Sequence, residues 1–287
     1  MFVKAIKDSA LYTKQLRTIH RTYGSKEIVK SASTLMILND QGWLLTSKHV
    51  AQNFNLANVL NQRYEQYKKD RDEQLLSDAE LKAKYNFQKG MPIQLKNQFF
   101  GVFQGVPQSI RVVFHKTLDL ALVHVEGQDI KMLCEDFPLF SETEVEAGMM
   151  LCKLGYPFAE YTCVAYEELT DDINFTQDGQ LNSPYFPLDG MVTRKIGDGQ
   201  KIVGFEMSTP GIRGQSGGPV FDEQGVVYGI QTGTRSHDLE MKMTKTIRLK
   251  EGPIEQDEYA FLNVGIVISS KEVIEFMREN NVTFRSI

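Results

Sequence analysis

The run Gly211-Ile212-Arg213-Gly214-Gln215-Ser216-Gly217-Gly218-Pro219-Val220 sets one serine in a glycine-dense turn and follows it at once with an apolar strand, Val220-Phe221. Glycines stand like this where a backbone takes positive φ and another group approaches its amides closely. A serine on such a turn presents its hydroxyl beside backbone N–H groups, the arrangement acyl transfer needs for its oxyanion. A glycine-rich hairpin with an incidental serine would read the same, but two upstream segments weigh against it. In Trp43-Leu44-Leu45-Thr46-Ser47-Lys48-His49 an apolar strand runs straight into a histidine. In Thr117-Leu118-Asp119-Leu120-Ala121-Leu122-Val123 an aspartate opens an apolar strand. A serine hydroxyl is a weak nucleophile near neutrality and needs a base within hydrogen-bond reach. His49 is the candidate base, imidazole being the side chain that changes charge near physiological pH. Asp119 is the candidate partner for its second ring nitrogen.

The other titratable groups have plainer readings. His124 follows Asp119 by five positions on the same strand, so it points to the opposite face. His115 precedes a turn and reads as solvated, while His20 and His237 have no motif around them. Asp222 follows the serine too closely to reach the far side of His49, and reads as the solvated tip of a hairpin.

Taken in chain order His49, Asp119, Ser216, these segments resemble the chymotrypsin-like serine peptidases, whose signatures are a threonine-containing strand ending in histidine, an Asp-x-Ala-Leu strand and Gly-x-Ser-Gly-Gly-Pro. The likeness is closest to bacterial HtrA-type trypsin-like peptidase domains. Phe137-Pro138-Leu139, Val145-Glu146-Ala147-Gly148 and Leu154-Gly155-Tyr156-Pro157 resemble the strand pair that opens their second barrel. Leu262–Ile268, followed by a helical 271–277, resembles their last strand and closing helix.

The resemblance implies an all-β fold of two six-stranded antiparallel barrels with the active site in the cleft between them. It implies His49, Asp119 and Ser216 as a catalytic triad, with the amides of Gly214 and Ser216 as the oxyanion hole. Protein or peptide would be the substrate, with no metal or cofactor. It bounds the substrate pocket by 208–211, including Pro210 and Gly211, and by Thr232, Gly233 and Thr234, with Val264 or Gly265 nearby. Pro210 stands near the place of the acid that selects Lys or Arg in trypsin. A neutral, small-to-medium apolar residue before the scissile bond is therefore expected, with Arg213 able to reach the rim and favour an acidic or polar neighbour. Gln215 stands where trypsin-like zymogens place an aspartate that pairs with a newly cut N-terminus. A neutral amide cannot form that ion pair, so the order of 211–214 is expected to be set by an activating partner or a homo-oligomer. No PDZ-like module is read after the closing helix, which points to a dedicated processing or regulatory protease.

The elements that must position these residues follow from periodicity. Residues 1–31 read as an N-terminal helix or arm. Ser33–Leu38 and Trp43–Ser47 read as a hairpin, the start of a first barrel over 32–135. Asn53 to about Gln94 reads as a two-part helical insertion, with Ser77-x-x-Glu80 as a capping box and Tyr64, Tyr67, Leu75, Leu76 and Leu81 as its apolar side. A second barrel is expected over 136–270 and a C-terminal helix and tail over 271–287. Within that barrel 167–184 reads as a polar, flexible loop and 235–257 as a long charged loop.

Composition bounds the function classes. The chain has 287 residues, 41% of them hydrophobic and 24% charged, which is ordinary for a globular protein. A net charge of −5 without a clean basic run gives no support to nucleic-acid binding. Cys134, Cys152 and Cys163 make no metal spacing and are odd in number, which favours a reducing compartment. The N-terminus lacks the apolar core of a signal peptide, and no run approaches the ~18 apolar residues of a membrane span. The location read from this is cytoplasmic, away from membranes.

Three functions remain open. The first is a serine endopeptidase; the second is a latent or inactive member of the same fold that binds peptides or partners in its cleft. The third is an α/β ester hydrolase, since Gly214-Gln215-Ser216-Gly217-Gly218 formally matches the nucleophile elbow. That elbow needs a helix after the serine and the order Ser, Asp, His, and neither is found.

Overall fold

The computed structural model describes residues 1–73, 76–197, 201–249 and 252–287. Helix α1 (Val3–Tyr12) passes without a loop into strand β1 (Thr13–Thr22). Strands β2 (Val29–Ile37) and β3 (Trp43–Thr46) form the expected hairpin. Its turn is held by Asn39, whose Oδ1 accepts the amides of Gln41 and Trp43, a side-chain turn suited to asparagine. Helices α2 (Lys48–Asp72) and α3 (Asp78–Tyr85) come next. They are followed by β4 (Pro92–Phe100), β5 (Phe103–Gln104), β6 (Ser109–Phe114), β7 (Ala121–Glu126) and β8 (Lys131–Met132). The first sheet has six strands in the order β4-β1-β2-β3-β7-β6.

Two expectations need correction here. The stretch 13–22 is not an arm: β1 lies inside the first sheet, antiparallel to both β2 and β4. Its sequence hid this because Gln15, Arg17 and Arg21 are buried polar residues whose groups are answered by neighbours. Arg17 bonds Gln15 and Gln98 and lies over the Phe100 ring, and Arg21 bonds Gln94 and Asp171. The helical insertion also starts earlier and ends earlier than expected, beginning at Lys48 and finishing at Tyr85. The capping box at Ser77 and Glu80 is formed. Tyr64, Tyr67 and Leu81 join Tyr85, Phe87 and Ile93 in a separate small core, with Leu76 and Tyr23 at its margin. Leu75 lies outside the described residues.

The second lobe begins with β9 (Leu139–Phe140) and β10 (Met150–Gly155). A small hairpin, β11 (Val164–Glu167) and β12 (Asp172–Phe175), stands apart from the main sheet. Strands β13 (Phe186–Gly197), β14 (Ile202–Met207), β15 (Pro219–Phe221), β16 (Val226–Leu249) and β17 (Gly252–Ser269) follow, then helix α4 (Ser270–Glu279) and a short β18 (Arg285–Ser286). The sequence β15-β10-β13-β14-β17-β16 closes on itself through the β15–β16 pairing, with β9 and β18 added outside it. Leu151, Val192, Phe205, Met207, Val220 and Val267 fill this barrel.

Both loops expected in this lobe carry strands. The stretch 167–184 includes the second strand of the β11–β12 hairpin, and Asp171 at its turn is held by Arg21, Arg71, Tyr64 and Tyr166. The stretch 235–257 belongs to a β16–β17 ribbon whose pairing runs out to Leu249 and Gly252. Water covers both ribbon faces, so Met241, Met243, Ile254 and Tyr259 are exposed and no alternation of burial marks the strands. Between the lobes one continuous core joins Leu35, Leu45 and Leu122 to Leu154, Phe221 and Ile268, with Val273, Phe276 and Met277 of α4 closing it.

Candidate active site

The antiparallel pairing of β3 with β7 sets Thr46 opposite Ala121. The residues after β3 therefore meet the residues before β7, which brings His49 to Asp119. His49 is the second residue of α2 rather than the end of a strand. Its Nδ1 lies 2.7 Å from Asp119 Oδ2, and its backbone N–H donates to Asp119 Oδ1 at 2.9 Å. A carboxylate accepts hydrogen bonds, so Nδ1–H is the donor of this pair.

Ser216 follows a turn built on two glycines at positive φ, Gly214 at 98° and Gly217 at 89° on its far side. Gln215 is fully buried and braces the turn: Oε1 accepts the Ile212 amide at 3.0 Å and Nε2 donates to the Phe186 carbonyl at 3.1 Å. The Gln215 amide donates to the Ile212 carbonyl, and the Gly217 amide to the Gln231 carbonyl. Among the described residues, neither the Gly214 amide nor the Ser216 amide has an acceptor within the chain. The Ser216 hydroxyl donates to the Thr232 carbonyl at 3.2 Å and makes no hydrogen bond with His49.

Thr34 of β2 ties this turn to the first lobe. Its hydroxyl donates to the Gly214 carbonyl and accepts the Tyr156 amide, and its own amide donates to the Ser216 carbonyl. The sequence offered no signal for this role beyond a threonine in an apolar strand.

Beside Ser216 lies a cavity of about 230 Å³ lined by Gly211, Ile212, Arg213, Ser216, Gln231, Gly233 and Thr234. Of the residues expected there, Gly211, Arg213, Gly233 and Thr234 line it. Pro210 and Thr232 are not among the lining residues, and Ile212 and Gln231 were not foreseen. Behind this lining lies Lys153 of β10, which is fully buried. Its Nζ donates to the carbonyls of Thr209 and Pro210 at 2.6 and 2.8 Å. Burial pushes its ammonium down to about 8.

The remaining histidines lie elsewhere. His124 stacks on Trp43 at 4.3 Å between ring centroids, on the far face of β7. His115 is half-buried rather than solvated: its Nδ1 accepts the amides of Thr117 and Leu118, and its ring meets Phe276 edge-on. His237 faces Arg194 and Glu206. Asp222 accepts the amides of Gln224 and Val226 in its own turn.

The family model of the trypsin-like peptidase domain matches residues 33–230. Among solved structures the chain is similar to an HtrA-type protease solved with a tripeptide. The two share 14% identity at a TM-score of 0.48, over 97% of this chain and 63% of that one. A search of curated protein sequences finds no significant match.

Proposed function

The chain belongs to the trypsin-like peptidase domain family, and on that premise we infer that it is a serine endopeptidase working through an acyl-enzyme. The observation that carries this reading is the His49–Asp119 pair at 2.7 Å, together with a serine whose turn leaves two amides unpaired among the described residues. Nε2 of His49 takes the Ser216 proton as Oγ bonds to the peptide carbonyl carbon. The carbonyl oxygen becomes an oxyanion, stabilised by the Gly214 and Ser216 N–H groups; a single such donor contributes about 10²–10³ in turnover. Imidazolium then protonates the leaving amine, and Asp119 holds the ring in the tautomer this requires. Water, deprotonated by the same histidine, hydrolyses the ester and restores the serine. All three cysteines are free thiols, two of them buried, and we place the enzyme in a reducing, cytoplasmic setting as a processing or regulatory protease.

One observation favours a second reading, a latent or partner-binding form. Ser216 Oγ is turned toward Thr232 rather than His49. In the enzyme reading, a substrate or an activating partner would turn the hydroxyl from Thr232 to His49. Labelling with a fluorophosphonate probe separates the readings. The wild-type protein is expected to label, and Ser216→Ala and His49→Ala to remain unlabelled. Folded wild-type protein that stays unlabelled with and without cell lysate would overturn the enzyme reading.

A further inference from the structure

We propose that the pocket beside Ser216 takes a side chain ending in a carboxylate, so that the bond cleaved follows glutamate or aspartate. The proposal rests on the endopeptidase reading for the cleavage, but not for the binding.

Strand alternation sends Lys153 inward with Leu151, into a barrel otherwise filled by Val192, Phe205, Met207, Val220 and Val267. A buried ammonium is normally matched by a carboxylate. Among the described residues Lys153 makes no ion pair; its partners are two neutral carbonyls, Thr209 and Pro210. Those are the two residues before Gly211, where the cavity lining begins.

Gly265 of β17 makes room for this ammonium. A Cβ there would stand 2.8 Å from Lys153 Nζ, 3.1 Å from Gln231 Oε1 and 2.7 Å from the Thr209 carbonyl. Gln231 is buried and also lines the cavity, so it joins the ammonium to the cavity wall. Its Nε2 donates to the Gly233 carbonyl at 2.5 Å, while its Oε1 has no partner among the described residues. Behind the cavity wall, on the far side of Gln231, there is therefore a positive charge without a counter-charge among the described residues, set in low-dielectric surroundings where an ion is weakly screened. Arg213, exposed at the rim, adds a second positive charge on the path in. A carboxylate supplies what both lack. An aliphatic side chain would leave the buried ammonium as it stands, and hydrophobic pockets discriminate weakly between such side chains.

Two readouts on matched peptides test this. Fluorescent peptides ending in Glu, Gln or Leu are titrated into Ser216→Ala by anisotropy, and internally quenched substrates with the same residue before the scissile bond are cut by the wild type. We expect Glu over Gln by about tenfold or more in both affinity and kcat/KM, the scale of one charge-assisted contact. Lys153→Met should bring the ratio to within about twofold. Equal treatment of Glu and Gln, a preference for Leu, or a Glu preference that survives Lys153→Met would overturn the proposal. Should Lys153→Met not fold, the wild-type ratio decides alone. Selective binding of the Glu peptide without cleavage of any substrate would sink the endopeptidase reading and leave the pocket standing. Cleavage that favours Leu would do the reverse.

Discussion

The hydroxyl of Thr34 donates a 2.7 Å hydrogen bond to the carbonyl oxygen of Gly214. One residue thus carries the register of the first lobe to the turn of the second, for the Thr34 amide also donates to the Ser216 carbonyl and its carbonyl accepts the Thr46 hydroxyl. The peptide unit between the two unpaired amides is fixed from outside its own lobe.

Thr34→Val keeps the shape and removes the donor. Because the oxyanion amides lose an external brace rather than themselves, kcat should fall about 10–100-fold with KM little changed, less than the loss of an oxyanion donor itself. Steady-state kinetics on any cleaved peptide, with circular dichroism as the check on folding, measures this. A change confined to KM would count against a positioning role.

Asp119→Asn should leave the fold intact and lower turnover by about 10⁴, because an amide can donate to Nδ1 and favours the wrong tautomer. The rate of fluorophosphonate labelling gives the same comparison without a known substrate. A loss under about tenfold would show that another group orients His49.

Gly217→Ala should be strongly destabilising. The residue sits at φ 89°, and an added Cβ would press on the Thr34 carbonyl oxygen and the Thr46 hydroxyl. Strain in the left-handed region adds to that overlap, and about 2–4 kcal/mol is expected. Urea unfolding at unchanged slope reads it as a lower midpoint.

Asp171 anchors the β11–β12 hairpin to β1 and α2. Burial alone would raise its pKa, but hydrogen bonds from Arg71, Tyr64 and Tyr166 and the charge of Arg21 outweigh it and bring it down to about 2. A depressed carboxylate stabilises the fold fully above its unfolded pKa of ~3.9 and loses that contribution as pH falls toward the folded value. Thermal midpoints should therefore drop between about pH 5 and pH 2. Asp171→Asn should be less stable at neutral pH by about 2–4 kcal/mol, and the gap to wild type should narrow in acid. A constant gap across that range would refute the assignment.

What was legible in the sequence was local. The segments around His49, Asp119 and Ser216 could be singled out because each is marked by a few neighbours: an apolar strand running toward a histidine, an aspartate before an apolar run, a glycine turn. The capping box at Ser77 was read for the same reason. What was lost depends on contacts distant in sequence. β1 reads as polar because its arginines are answered by Gln98, Gln94 and Asp171 from other strands. The ribbon reads as a loop because neither face is buried. Lys153 carries no local signal, because its burial depends on the strands on either side of β10, β13 and β15.

Strands β16 and β17 run from the cavity wall, where Thr234 pairs with Gly265, out to Leu249 and Gly252, with a shift of register between Asp238 and Lys242. Each rung of such a ladder sets the twist of the next. The ribbon is thus jointed: the residues up to Asp238 continue the cavity wall, and Met243 and Tyr259 lie beyond the joint.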